Sequence, residues 1–309
     1  MHYFTLNNGI KIPALGLGTF GLENAQQCVE DALELGYRLI DTAQKYANEK
    51  DIGRALKVAL NSGLKREEHF IQSKLWISHT DKKGALKAFD ESLKNLGVDY
   101  LDCYMLHYPF NDLYAAYKEL SKLYKKGLIK ALGVSNFYPD KLADLCIFNE
   151  IKPCLNQLEL HPFYQRKKEL SFNHNLNIAV QAWCPLAQGK DIFTNKILSK
   201  IAKKHSKTVA QIILRWHIEN KIIVIPKSTN KQRLRENIDI FDFSLDESDL
   251  SEISRLDTNK SLFLELFGYE RIKWLEGFKS LASVNFNAVN ALASKNIELN
   301  NTQSKGGGW

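Results

Sequence analysis

The chain lacks the features that mark a metal site, a disulfide scaffold or a membrane span. Its five cysteines, Cys28, Cys103, Cys146, Cys154 and Cys184, are odd in number, scattered and without Cys-x-x-Cys spacing. That argues against a zinc site and a disulfide framework, and for a reducing compartment. The eight histidines show neither His-Glu-x-x-His nor paired ligand spacing, so no metal is expected. No Gly-x-Ser-x-Gly occurs, so a Ser-His-Asp hydrolase is not indicated. No apolar run approaches the length of a membrane span. The first nine residues lack a basic stretch followed by an apolar one, so no signal peptide is expected and the cytoplasm is the expected location. Basic residues exceed acidic ones by 42 to 35, a net charge of +7, but never as a block with interleaved aromatics. Nucleic acid is therefore not an expected partner, whereas a small phosphorylated ligand suits the charge.

What is present is alternation. With 309 residues and 44% hydrophobic content the chain can bury a full core. Tyr3–Leu6 and Ile10–Ile12 flank Asn7-Asn8-Gly9 and read as a hairpin. Strands are predicted at Ala14–Gly18, Tyr37–Ile40, His69–Leu75, Tyr100–His107, Ile129–Val134, Cys154–Leu158, Asn177–Trp183 and Ile222–Ile225. Helical patterns fall between them at Asn24–Leu35, Asp51–Ser62, Lys82–Leu96, Leu113–Lys126, Pro139–Phe148, Lys167–Asn175 and Thr208–Glu219. Two more follow the last strand, near Lys231–Asn237 and Asp246–Leu256. Gly36, Gly97 and Gly127 stand where helices stop. Thr208 with Gln211, and Ser244 with Glu247, have capping-box spacing.

Eight strand-helix units predict an α/β fold, a (β/α)8 TIM barrel with an N-terminal β-hairpin and a C-terminal extension. The barrel is expected to occupy residues 1–280 as one domain. Residues 281–309 are rich in Asn and Ser, end in Ser-Lys-Gly-Gly-Gly-Trp, and are expected to be poorly ordered.

One motif argues for a different fold. Gly16-Leu-Gly18-Thr-Phe-Gly21 spells the dinucleotide fingerprint, and Asp41 follows at a strand end. Yet Pro13 interrupts the preceding strand, eight units exceed what a six-stranded Rossmann sheet needs, and no second-domain boundary is visible. The barrel is the reading adopted.

A barrel collects its chemistry at the C-terminal ends of its strands. Three consecutive predicted strands end there on Asp41, Lys74 and His107, and Tyr46 follows Asp41 by five residues. Each has an ordinary structural role when taken singly. Together they read as one cluster, because a buried ammonium needs a partner and Asp41 is the natural one for Lys74. A lysine beside Tyr46 is expected to favour phenolate and lower the tyrosine pKa, making it a general acid for a carbonyl oxygen. His107 would help hold that oxygen. After the eighth strand, Lys227, Ser228 and Thr229, then Arg233 on a short helix, form a set that suits a phosphate monoester.

These residues fall into motifs that resemble the aldo-keto reductase superfamily. They are Asp41-Thr-Ala-x-x-Tyr46-x-Asn48-Glu49, Ser73-Lys74-Leu75-Trp76, Leu106-His107-x-Pro109, Gly133-Val-Ser135-Asn136-Phe137, Asn156-Gln157 and Ile225-Pro-Lys-Ser-Thr229. The resemblance runs from about Tyr3 to Phe278 and is strongest to the bacterial branch holding 2,5-diketo-D-gluconate and glyoxal reductases. It implies a monomeric barrel that binds NADPH without a Rossmann domain and reduces a small-molecule carbonyl. Tyr46 is then the acid, Lys74 and Asp41 tune it, and His107 orients the carbonyl. Ser135, Asn136 and Gln157 would hold the nicotinamide carboxamide, and Trp183 would stack on the ring. Lys227, Ser228 and Arg233 would contact the 2′-phosphate, with Asn237 at the adenine. Thr19, Pro185, Leu186 and Thr229 complete the implied cofactor contacts. Trp183 stands where tyrosine is more frequent, and Tyr108 where tryptophan is common. With a short loop from Tyr108 to Leu113, the pocket is expected to be open, lined by Phe20, Trp76, Tyr108 and Phe110, and to take small aldehydes or dicarbonyls. The alternatives are a barrel that binds NADPH as a sensor without turnover, and an enzyme that oxidises an alcohol with NAD.

Overall fold

The computed structural model of the protein describes residues 2–189, 191–263 and 268–276. It forms two units, Met1–Lys260 and Ser261–Trp309. In the second, the helix Tyr269–Glu276 is described, with the Arg271 guanidinium over the Trp274 ring. The expected boundary at residue 280 and the tail 281–309 lie outside the described residues. No helix among the described residues is long and apolar enough to cross a membrane.

The first unit opens with an antiparallel hairpin, β1 (Tyr3–Thr5) and β2 (Lys11–Pro13). Eight parallel strands follow: β3 (Leu17–Gly18), β4 (Leu39–Asp41), β5 (Phe70–Leu75), β6 (Leu101–Leu106), β7 (Ile129–Ser135), β8 (Leu155–Glu159), β9 (Ala179–Trp183) and β10 (Ile222–Val224). They lie side by side in chain order. The ends of the sheet then meet. Leu15 bridges Val224 in parallel, Gly16 N donates to Val224 O at 2.8 Å, and Gly18 N donates to Pro226 O at 3.1 Å. The eight strands therefore form the (β/α)8 barrel.

That seam explains the glycine fingerprint. A Cβ on Gly18 would meet the Ile225 carbonyl oxygen at 2.7 Å, and one on Gly16 would meet Leu39 at 2.4 Å. These glycines let the first strand approach its neighbours; they do not open a Rossmann helix. Gly18→Ala is expected to destabilise the fold by about 1–3 kcal/mol, the usual cost of overpacking. Thermal unfolding checks it: an unchanged melting temperature would show that the seam can give way.

The hairpin closes the N-terminal mouth. Leu6 and Ile12 belong to the same buried cluster as Leu39, Phe70, Cys103, Leu155 and Ile223 from the strands. Asn7 and Asn8 pin its turn by donating to the Pro153 and Lys130 carbonyls. Helices cover the outside because their apolar residues recur at helical spacing. In Glu49–Asn61, for example, Ile52, Ala55, Leu56 and Ala59 are buried. Two local expectations need correction. A helix at Lys196–His205, capped by Asn195, precedes Val209–Glu219 within one unit and was not predicted. The final capping box is formed by Asp246 with Asp249, not by Ser244 with Glu247.

Candidate active site

The strand ends bring the predicted cluster together. Asp41 closes β4, Lys74 is next to last in β5, and His107 directly follows β6. A short turn of 3-10 helix, Gln44–Tyr46, carries the phenol back over them. Lys74 is fully buried and donates to both Asp41 carboxylate oxygens, at 2.7 and 2.8 Å. It also donates to the Thr42 carbonyl at 2.9 Å and to the Tyr46 hydroxyl at 3.3 Å. The His107 ring stands edge-on to Tyr46, centroids 5.7 Å apart.

The electrostatics differ from expectation in one respect. Burial pushes the Tyr46 phenol well above its ordinary range, and the nearby Asp41 and Tyr108 push the same way. Burial pulls the Lys74 ammonium down, with Asp41 acting against it. Burial is the larger cause, and the Asp41 carboxylate, bound to Lys74 at both oxygens, adds to it. Tyr46 is thus held protonated at neutral pH, which is the form a proton donor needs.

Beside the cluster, Asn136 takes a left-handed backbone conformation (φ 63°), which asparagine tolerates. Its side chain donates to the His107 carbonyl and to Ser135 Oγ, and accepts from the Trp183 indole N–H at 3.0 Å. Ser135, at the end of β7, donates to the Gln157 carbonyl. Thr19 donates through Oγ1 to the Asp41 carbonyl at 2.9 Å. Trp183 is half-buried at the end of β9, and Pro185 and Leu186 follow it in the next loop.

Around Tyr46 the predicted aromatic residues do gather. Phe20, 39% exposed, lies 4.9 Å from the Tyr46 ring. Trp76 meets His107 edge-on at 5.1 Å, and Tyr108 stacks on His107 at 5.3 Å. Phe110 stacks on Tyr108 at 6.2 Å.

The phosphate-type set sits past the end of β10. Lys227, Thr229 and Arg233 are exposed, while Ser228 and Asn237 are buried. Asn230 caps the helix Lys231–Ile238 by accepting from the Arg233 backbone N–H. The neighbouring Lys231 is paired with Asp31 and Glu34. Among the described residues, no carboxylate pairs with Lys227 or Arg233. Ser228 Oγ donates to the Asn230 carbonyl and accepts from its N–H, while the two cations and the exposed Thr229 hydroxyl near the helix start suit a phosphate, so a phosphorylated nucleotide fits the residues present.

Comparison with known proteins decides the family. A family model described as "Aldo/keto reductase family" matches residues 14–258. The chain belongs to the aldo/keto reductase family. Such a reductase is an oxidoreductase. Its relatives include the glyoxal reductase of Bacillus subtilis, 43% identical over 82% of this chain and 92% of that protein. The methylglyoxal reductase DkgA of Escherichia coli is 42% identical over 83% of this chain and 94% of its own length. An aldo-keto reductase of Bombyx mori, solved in complex with NADP, superimposes with a TM-score of 0.81 at 32% identity, covering 88% of this chain and 96% of that one.

Two glutamines of this reductase's barrel interior, Gln72 and Gln181, escaped the sequence reading. Gln72 donates to Asp41 Oδ1 at 2.6 Å, and Gln157, expected only at the cofactor, donates to the same oxygen at 2.8 Å. Gln181 accepts from both. The available signal was spacing. Gln72 stands two residues before Lys74, and Gln181 two before Trp183, so each shares a strand face with a predicted site residue.

Proposed function

We propose that the protein reduces small aldehydes or dicarbonyls to alcohols with NADPH, using Tyr46 as the proton donor. The observation that carries this is the half-buried Tyr46 hydroxyl, 3.3 Å from a lysine Nζ that is itself fixed by Asp41. When bound, the reduced nicotinamide supplies hydride to the carbonyl carbon. The chain supplies the proton and the orientation. A carbonyl oxygen seated between Tyr46 and His107 would take the phenolic proton as negative charge develops on it. The phenolate left behind would be stabilised by the charge-assisted hydrogen bond from Lys74. The apolar walls of Phe20, Trp76, Tyr108 and Phe110 favour a compact substrate by excluding water from one side of it. The relatives named for glyoxal and methylglyoxal support the same substrate class.

For the cofactor, Ser135, Asn136 and Gln157 offer amide and hydroxyl groups to the carboxamide, and Trp183 an aromatic face. Lys227, Ser228 and Arg233 would contact the 2′-phosphate, Thr229 lying beside them and Asn237 at the adenine. Thr19, Pro185 and Leu186 would line the rest of the cleft. Steady-state reduction of methylglyoxal, a substituted benzaldehyde and a bulky steroid ketone tests the reading. Preference for the steroid would sink the small-substrate proposal. The double variant Lys227→Ala, Arg233→Ala is expected to raise KM for NADPH by about 10- to 100-fold and leave that for NADH nearly unchanged, since charged hydrogen bonds are lost only to the phosphate. Equal effects on the two cofactors would remove those residues from 2′-phosphate recognition.

A further inference from the structure

The glutamines form a closed network inside the barrel. Gln72 and Gln181 are fully buried and Gln157 nearly so. Strand register sets Asp41 beside Gln72 and Gln157 beside Gln181. Each of Gln72 and Gln157 has two amide hydrogens. One goes to Asp41 Oδ1, at 2.6 and 2.8 Å, and the other to Gln181 Oε1, at 2.7 and 2.6 Å. This fixes all three amide orientations. If Gln181 turned its NH2 group inward, donors would face donors; if Gln72 or Gln157 turned, a carbonyl oxygen would face the carboxylate.

From this geometry we infer that Gln72 and Gln181 are positioning residues of the proton-donor site. Gln181 touches none of Asp41, Tyr46, Lys74 and His107 in the hydrogen bonds described, yet its single oxygen accepts one N–H from each of the two amides whose other N–H goes to Asp41 Oδ1. That carboxylate in turn holds Lys74 in place at the Tyr46 hydroxyl. The chain of contacts is Gln181 to Gln72 and Gln157, to Asp41, to Lys74, to Tyr46. Gln157 is also proposed at the cofactor, so the network joins the two halves of the site through one residue. Buried polar networks of this kind are worth most when every member is satisfied, and the loss of one acceptor releases two donors at once.

The kinetic side of this inference rests on the proposed role of Tyr46, so its test has an arm that needs no turnover. Gln181→Met keeps the length of the side chain and removes the acceptor. It is expected to lower kcat for methylglyoxal with NADPH by about 10- to 100-fold, while KM for either moves by less than about 3-fold. Added to Asp41→Asn, the same change is expected to cost less than about 2-fold more, because both act through one carboxylate. In parallel, 15N-resolved proton exchange at Lys74 Nζ is expected to be slow in the wild type and at least several-fold faster in Gln181→Met. Gln72→Met removes one donor only and serves as the milder variant if Gln181→Met fails to fold. A folded Gln181→Met with wild-type kcat and wild-type Lys74 exchange overturns the inference. So does a kcat loss that persists in full on the Asp41→Asn background. If the wild type turns over no carbonyl, the proposed function fails, and Lys74 exchange alone decides the positioning role.

Discussion

Tyr46→Phe is expected to lower kcat by roughly 10²–10⁴-fold, the range in which a positioned general acid contributes. The substitution removes one oxygen and keeps the ring, so the packing of Phe20 against it at 4.9 Å should survive. The loss should fall on kcat far more than on the affinity for NADPH, because the phenol acts on the carbonyl and not on the phosphate end of the cofactor. Titration of NADPH by protein fluorescence, run beside the kinetics, separates the two. Lys74 donates to the missing hydroxyl only at 3.3 Å and keeps three shorter bonds, to Asp41 twice and to the Thr42 carbonyl. The variant should therefore melt within a few degrees of the wild type. A kcat within tenfold of wild type would show that another group delivers the proton.

Lys74→Met is expected to be the most destabilising substitution in the site. It strips the buried Asp41 carboxylate of its counter-charge, leaving the donors of Gln72 and Gln157. Removing one partner of a buried ion pair costs about 3–5 kcal/mol, because an uncompensated charge stays behind. The prediction has an internal control. Lys74→Met combined with Asp41→Asn should recover a substantial part of that loss, since no charge is then stranded. Activity should not return in the double variant, because no ammonium remains to stabilise the phenolate. Chemical denaturation of the two single variants and the double one decides the matter. A double variant less stable than Lys74→Met would mean that packing, and not charge, sets the cost.

The barrel was legible because its strands are short apolar runs bounded by polar turns and glycines. The runs ending at Asp41, Lys74 and His107 correspond to β4, β5 and β6 to within one or two residues. Asp41, Lys74 and His107 were legible for the same reason, since a titratable residue at the end of an apolar run is conspicuous. The helix Lys196–His205 was not, because its four lysines dilute the apolar spacing of Leu198, Ile201 and Ala202. The last capping box is ambiguous in the sequence because two overlapping pairs share the same spacing, and aspartate at the third helical position is a weaker signal than glutamate. Gln72 and Gln181 carry no charge, and their meaning depends on register across the barrel, which one strand's pattern does not contain. The direction of the Tyr46 shift depends on burial and on Asp41 and Tyr108 lying beside the phenol, and both are properties of the folded site.

In the proposed reaction hydride reaches a carbonyl carbon while the chain supplies the proton. Cofactor labelled with deuterium at C4 of the reduced nicotinamide, on the transferred face, tests it most directly when incubated with methylglyoxal and the protein. The product is then read by mass spectrometry. One deuterium is expected on the former carbonyl carbon of the alcohol, and product formation should collapse with Tyr46→Phe. Labelled cofactor that binds tightly but returns unconsumed, with no alcohol formed from any small aldehyde or dicarbonyl, would rule out carbonyl reduction and favour a barrel that senses the cofactor.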